Sequence, residues 1–183
     1  MAKSVCFICQ AETAGLRKGR FPFAEEEAYQ PLDSAERIAQ RIGSFDLIYC
    51  APQKAARNTA EVMFKSAIIA LEIRDIDYGR WSGRLIRDVA RKDNIAFQSW
   101  VEGAPPPGGE SLQQLIDRVT KWLDARMDEV GSTAAIVSPA VMRAIVISAL
   151  DAPVQSFSRL DISALSNLRI TSDGKRRNIH LTP

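Results

Sequence analysis

Ser4-Val5-Cys6-Phe7-Ile8-Cys9-Gln10-Ala11-Glu12-Thr13 is the stretch from which the rest of the chain can be read. Ser4 to Ile8 is short, apolar and β-rich, the form of a strand buried on both faces, as in a parallel sheet. Polar residues begin at Gln10. In an open α/β sheet, ligands bind just past the carboxyl ends of the strands. Cys9 to Thr13 therefore stands where a site is expected. Cys6-Phe7-Ile8-Cys9 spells a CxxC, but a redox pair needs a helix N-terminus to stabilise its thiolate. Within a strand, positions i and i+3 face opposite sides, so Cys6 reads as core packing. No second cysteine pair is present for zinc.

The chain has 183 residues, net charge +2, 46% hydrophobic and 25% charged residues. That length suits one domain, 1–183, with a full core. Near-neutral charge gives no electrostatic case for nucleic acid or an anionic membrane. No apolar run has the length of a membrane span. Met1-Ala2-Lys3-Ser4 runs directly into the strand without a signal-peptide pattern. Three cysteines give no disulfide framework, so a cytoplasmic setting is expected.

Outward from the first strand, the segment to Gln30 carries Gly15, Gly19, Pro22 and a Glu25-Glu26-Glu27 run. It reads as a long loop, with the acidic run solvated. Asp33 and Glu36 form a capping pair opening a helix that Gly43 ends near Ile42. Phe45 to Cys50 is the second strand, and Pro52 opens a helix to about Lys65. Ile68 to Ile73 reads as a third strand, and Leu85 to Trp100 as interrupted helix. Pro105 to Gly109 is a rigid turn. Gly108-Gly109 is no nucleotide fingerprint, because no strand runs into it. Ser111 with Gln114 is a capping box, followed by Leu112, Leu115, Ile116, Val119, Leu123, Met127 and Val130 at helical spacing. Ala134 to Ser138 is a fourth buried strand, and Val141 to Leu150 a buried helix. Leu168 to Thr171 and Asn178 to Leu181 form a hairpin turning at Asp173-Gly174. The implied architecture is a three-layer α/β/α sandwich with a mostly parallel sheet.

Five segments together resemble the histidine phosphatase (phosphoglycerate mutase-like) superfamily. Cys9-Gln10-Ala11-Glu12-Thr13 is similar to its Arg-His-Gly-Glu-Thr. Ala51 to Ala60 resembles Ser-Pro-x-x-Arg-Ala-x-x-Thr-Ala. Arg74 to Gly83 resembles Arg-Glu-x-x-x-Gly-x-Trp-x-Gly. Pro107 to Ser111 matches Pro-Gly-Gly-Glu-Ser in full. Ser138 to Ala144 resembles Ser-His-x-Gly-x-x-Arg-Ala with one residue deleted. Leu16 to Phe21 and Pro31-Leu32-Asp33 are weaker echoes, and Arg118 falls where the family carries an arginine.

On this resemblance the catalytic positions are Cys9, Gln10, Ala55, Asp75 and Pro139. Gln10 replaces the nucleophilic histidine, and an amide nitrogen offers no lone pair for a phosphoryl group. Pro139 replaces the second histidine, and Cys9 and Ala55 replace the phosphate-binding arginines. Arg57 lies two residues past Ala55, about 200° around the helix, and cannot simply substitute. Asp75 replaces the proton donor and can still donate if the backbone lets it reach. The implied protein is a binding or regulatory module without catalysis, taking a small ligand or a protein partner and needing no cofactor or metal. The alternative is residual phosphomonoester chemistry through Asp75 and water, or with Cys9 as nucleophile.

Thr13, Arg20, Cys50, Arg57, Ser138 and Arg143 are candidate pocket residues. Cys9 and Cys50 are expected to border the pocket as its reactive thiols. Strand-end amides and helix N-termini near Pro52 and Ala140 are expected to bind an anion weakly. Set against these roles, Gln10 also reads as a plain polar strand end, Asp75 as a turn residue and His180, the only histidine, as a surface residue.

Overall fold

The computed structural model describes residues 3–29, 32–129, 131–174 and 176–181. Pro31, in one of the weaker motif echoes, and Val130, the last position of the long apolar stripe, lie outside them. The strands are β1 (Lys3–Cys9), β2 (Leu47–Cys50), β3 (Ile68–Ile69), β4 (Ser132–Val137), β5 (Asn167–Ser172) and β6 (Arg177–Leu181). The helices are α1 (Ala14–Arg17), α2 (Asp33–Ile42), α3 (Lys54–Phe64), α4 (Ile86–Lys92), α5 (Asn94–Val101), α6 (Leu112–Met127) and α7 (Pro139–Leu150). The sheet order is β3-β2-β4-β1-β5-β6. β3, β2, β4 and β1 pair in parallel, and β5 and β6 close the sheet in antiparallel pairing.

The alternation along β1 builds the three layers. Val5, Phe7 and Cys9 pack with Leu115, Val119 and Leu123 of α6 and Val141 and Ile145 of α7. Cys6 and Ile8 pack on the other face with Ala35 of α2 and Ala55 and Met63 of α3. The period of two thus puts the two cysteines of the CxxC on opposite faces. Register brings three strand ends level: Cys9 pairs with Val137, and Cys50 with Ile136. Gln10, Ser138 and Ala51 therefore leave the sheet along one edge, the place for a site in such folds.

Local chemistry fixes the helix ends. The capping box of α6 forms in both directions: Ser111 Oγ accepts from Gln114 N at 3.1 Å, and Gln114 Oε1 accepts from Ser111 N at 2.8 Å. Gly43, at φ +85°, ends α2. The Asp33–Glu36 capping pair does not form. The cap position is Leu32, without a side-chain bond, and both acids sit in the first turn, where the helix dipole favours negative charge.

Three elements differ from the sequence expectation. Helix α3 starts at Lys54 behind the cap Gln53, so Pro52 lies before the helix rather than in its first turn. The long loop after Thr13 contains the single-turn helix α1, because Thr13 Oγ accepts from Leu16 N at 3.2 Å. The third strand pairs only over Ile68–Ile69, and Leu71–Ile73 turns into a 3-10 helix. Arg118 draws this segment inward by donating Nη1 to Glu72 O at 2.6 Å and Arg74 O at 3.0 Å. Ile73 is fully buried while Leu71 stays exposed.

Candidate functional site

The end of β1 carries a buried amide in a cleft. Gln10 is 5% exposed, and its side-chain Oε1 has no hydrogen-bond partner among the described residues. A buried acceptor left unmatched costs about 1–3 kcal/mol, and such groups in folded proteins call for a reason. Gln10 lines a cleft of ≈ 480 Å³ with Leu16, Pro139, Arg143 and the loop Ile162–Ala164. The loop is held over the strand end by Leu165 N, which donates to Cys9 O at 3.2 Å. Arg143 is the guanidinium of this cleft. Its Nε donates to Leu160 O at 2.7 Å, and its plane lies over Phe157 at 5.5 Å from the ring centre.

Several of the backbone donors expected to face an anion are already spent. Gln10 N donates to Val137 O at 2.8 Å, and Ala11 N to Thr59 Oγ1 at 2.9 Å. Thr59 passes its own proton to Ala55 O at 2.7 Å. At the start of α7, Ser138 Oγ takes the Val141 N–H at 3.2 Å, and Pro139 has no N–H to offer.

Asp75 faces a different cleft, of ≈ 230 Å³, with Gln53, Tyr78, Phe23 and Ser82. The two clefts share no lining residue. Ser138 stands between them, donating its hydroxyl to Asp75 Oδ1 at 2.6 Å. The same oxygen accepts from Ile76 N at 2.9 Å, and Asp75 N donates to Gln53 Oε1 at 3.1 Å. Burial pushes the Asp75 carboxyl above its ordinary range, against the bonds from Ser138 and Ile76. Burial also raises the Tyr78 phenol. Asp75 is thus a structural partner and, by its raised pKa, a carboxyl that keeps its proton to higher pH.

The remaining candidates take other places. Cys9 is fully buried in the core beneath α6 and α7, and burial pushes its thiol up to about 12, with Arg143 opposing. Cys50 is 2% exposed, and burial raises its thiol as well. Neither lines either cleft, so the expectation that they are reactive pocket thiols is corrected. The strand positions that end β1 and β2 turn these side chains into the layers between sheet and helices. Ala55 is 2% exposed in the core on the α2–α3 side. Thr13 is spent as the cap of α1. Arg20 donates to Gly83 O at 2.9 Å, and Arg57 is exposed on α3; neither lines the Gln10 cleft. Of the expected residues, the structure gathers Gln10, Pro139 and Arg143 in one cleft, and Asp75 with Ser138 beside the other.

Sequence reasoning missed Gln53 and the Ile162–Ala164 loop, which distant parts of the chain bring in, and Tyr78, which follows Asp75 by three residues. It placed Arg118 without its role. Arg118 donates Nε and Nη2 to Glu110 Oε1 and Oε2 at 3.0 and 2.7 Å, a bidentate pair, while Nη1 holds the two carbonyls before Asp75. His180 is exposed on β6, with Nε2 3.0 Å from Thr171 Oγ1. Its register through Arg169 sets it level with Cys6, two strands and about 10 Å from β1. Among the described residues, no group of three or more His, Cys, Asp or Glu is placed to hold a metal ion, and no helix is long and apolar enough to cross a membrane.

The family model described as the histidine phosphatase superfamily (branch 1) matches residues 28–182. Phosphoserine phosphatase 1 of Hydrogenobacter thermophilus is 33% identical over 134 residues, covering 67% of this chain and 64% of that protein. The chain thus spans slightly under two thirds of that relative's length. In structure, the chain is similar to a phosphoserine phosphatase of Entamoeba histolytica in complex with phosphoserine, with TM-score 0.86, 17% identity and coverage of 96% and 94%. It is also similar to the alpha-ribazole phosphatase of Shigella flexneri, with TM-score 0.81, 18% identity and coverage of 97% and 95%.

Proposed function

Because the chain belongs to the histidine phosphatase superfamily (branch 1), we propose that it keeps a ligand cleft at the end of β1 but transfers no phosphoryl group, and serves as a binding or regulatory module. One observation carries this reading. The sequence holds a single histidine, His180, and it sits exposed on β6 while a glutamine ends β1. Losing the nucleophile of a catalytic unit costs orders of magnitude by itself, and further losses add little. The two positions where the superfamily resemblance expects phosphate-binding arginines, Cys9 and Ala55, are uncharged core residues, which leaves Arg143 as the guanidinium lining the cleft. The electrostatic terms that such arginines supply are usually the largest in catalysis.

The test is turnover of p-nitrophenyl phosphate and phosphoserine by contaminant-free protein. No turnover above buffer is expected, from the native chain or from Gln10→His. A rate of about 1 per second or more contradicts the reading. Asp75 favours a second reading, residual hydrolysis with its raised carboxyl as acid and water as nucleophile. In that case a slow rate would be measurable and would vanish in Asp75→Asn. Cys9 gives that reading no support, because its buried thiol does not supply a thiolate.

A further inference from the structure

The sheet has an open edge at β3, which pairs on one side only, with β2. Three large apolar side chains stand exposed within four positions there: Ile68 and Ile69 at 51% and, just past the strand, Leu71 at 65%. Backbone alternation decides which groups the edge offers. Ala70 N donates to Cys50 O at 3.0 Å, and Ile69 is in parallel register with Cys50. Ile68 and Ala70 therefore turn their peptide groups to β2, and Ile69 turns both its N–H and its C=O to the open side. Scattered exposed apolar residues are ordinary, but an apolar edge strand is a template for pairing, and sheets commonly blunt it with lysine, proline or an inward charge. From Ser66 to Leu71 the chain carries no charge and no proline. Charge stands only at the two ends, Lys65 before the strip and Glu72 after it. Both are exposed, and neither side chain has an ion-pair partner among the described residues.

We propose that a second copy of this chain docks on the edge, β3 against β3, antiparallel about a two-fold axis at Ile69. Such an axis demands a patch that fits itself, and this one does. With Ile69 opposite Ile69 of the other copy, each outward N–H donates to the other's outward C=O, the hydrogen-bonded pair of an antiparallel ladder. The same register sets Ile68 against Ala70 and Ala67 against Leu71 of the other copy. It also brings the cationic end of each strip beside the acidic end of the other, so Lys65 approaches Glu72 at both ends of the contact. A strand from an unrelated protein could take the free peptide groups, but the matched charges at both ends belong to this sequence against itself. The inference stands apart from the Gln10 cleft and does not depend on how that cleft is read.

Sedimentation velocity of the native chain over a concentration series tests it. The paired strip is short, below the size of a standard interface, so the dimer should be weak, with a dissociation constant of roughly 10 µM. Ile69→Lys sets two ammonium groups against each other at the axis and should weaken association about tenfold or more. Lys65→Glu sets carboxylate against carboxylate at both ends and should weaken it by about tenfold. Adding Glu72→Lys to Lys65→Glu restores opposite charges across the axis and should return association close to the native level. All three positions are exposed, so each variant should keep the native unfolding temperature, which separates lost association from lost folding. If Ile69→Lys fails to fold, the charge exchange between positions 65 and 72 decides alone. A native chain still monomeric at about 200 µM, well above the expected constant, overturns the inference. So does a dimer that Ile69→Lys leaves intact, or a Lys65→Glu loss that Glu72→Lys does not reverse, since either places the contact elsewhere.

Discussion

Glu110 and Arg118 at the start of α6, and Gln10 at the end of β1, are all polar groups drawn out of water, yet only the first two are satisfied. Arg118 donates to both Glu110 oxygens and to the Glu72 and Arg74 carbonyls. Gln10 Oε1 meets nothing among the described residues. The comparison separates scaffold from site. The ion pair locks the segment leading into Asp75 against the Pro107–Ser111 turn, and its hydrogen bonds all go into the fold. The strand end keeps an unused acceptor, itself closed off from solvent, on a residue that lines a cleft.

The largest expected effect breaks the satisfied side. Arg118→Met takes the bidentate partner from Glu110, only 8% exposed, leaving it Arg74 Nη2 at 3.5 Å, and should cost about 2–3 kcal/mol in denaturant unfolding, below the range for a buried charge left wholly unpaired. Adding Glu110→Gln should return much of that loss. A double variant as unstable as the single one would show that the cost lies in the two carbonyls rather than in the ion pair.

Ser138→Ala probes the boundary between the clefts. It removes the cap on Val141 N and the bond to Asp75, and should cost about 1 kcal/mol, within the range for a lost N-cap. The pH dependence follows from Asp75. Its folded carboxyl lies above the ordinary 3.8, so the native state holds that proton more tightly than the unfolded chain does. Asp75 therefore makes stability fall as pH rises from 3.8 through the raised value, and contributes no slope beyond it. Asp75→Asn should remove this component, while Ser138→Ala, by deleting a bond that lowers the pKa, should extend it to higher pH. Identical stability–pH curves for wild type and Asp75→Asn would contradict the assignment.

The smallest effect sharpens the unsatisfied side. Gln10→Leu replaces an unpartnered acceptor with an apolar side chain and should leave stability unchanged or raise it by up to about 1 kcal/mol. A loss of that size would mean that Gln10 is satisfied within the fold.

What the sequence revealed follows the range of the forces involved. The capping box of α6 and the glycine end of α2 are set by residues within one turn and were legible. So were the strand alternation that separates Cys6 from Cys9 and the absence of a histidine from the end of β1. The short β3 was not, because the group that bends the chain away after Ile69 is Arg118, far along the sequence. Thr13 and Ser138 were identified as pocket residues, but their hydroxyls close local caps. Ile162–Ala164 carries no local signal, since only the tertiary fold brings it beside Gln10, whereas Tyr78 follows Asp75 by three residues within the Arg74–Gly83 segment and was passed over. The spent amides of Gln10 and Ala11 were likewise hidden, because their acceptors come from β4 and α3.

The claim that the superfamily's chemistry is lost is tested most directly by intact-protein mass spectrometry after incubation with acetyl phosphate, with peptide mapping of any modified species. The account predicts unmodified chain, both for the native protein and for Gln10→His. A phosphoryl group carried stoichiometrically by the native protein on a residue lining either cleft would contradict it.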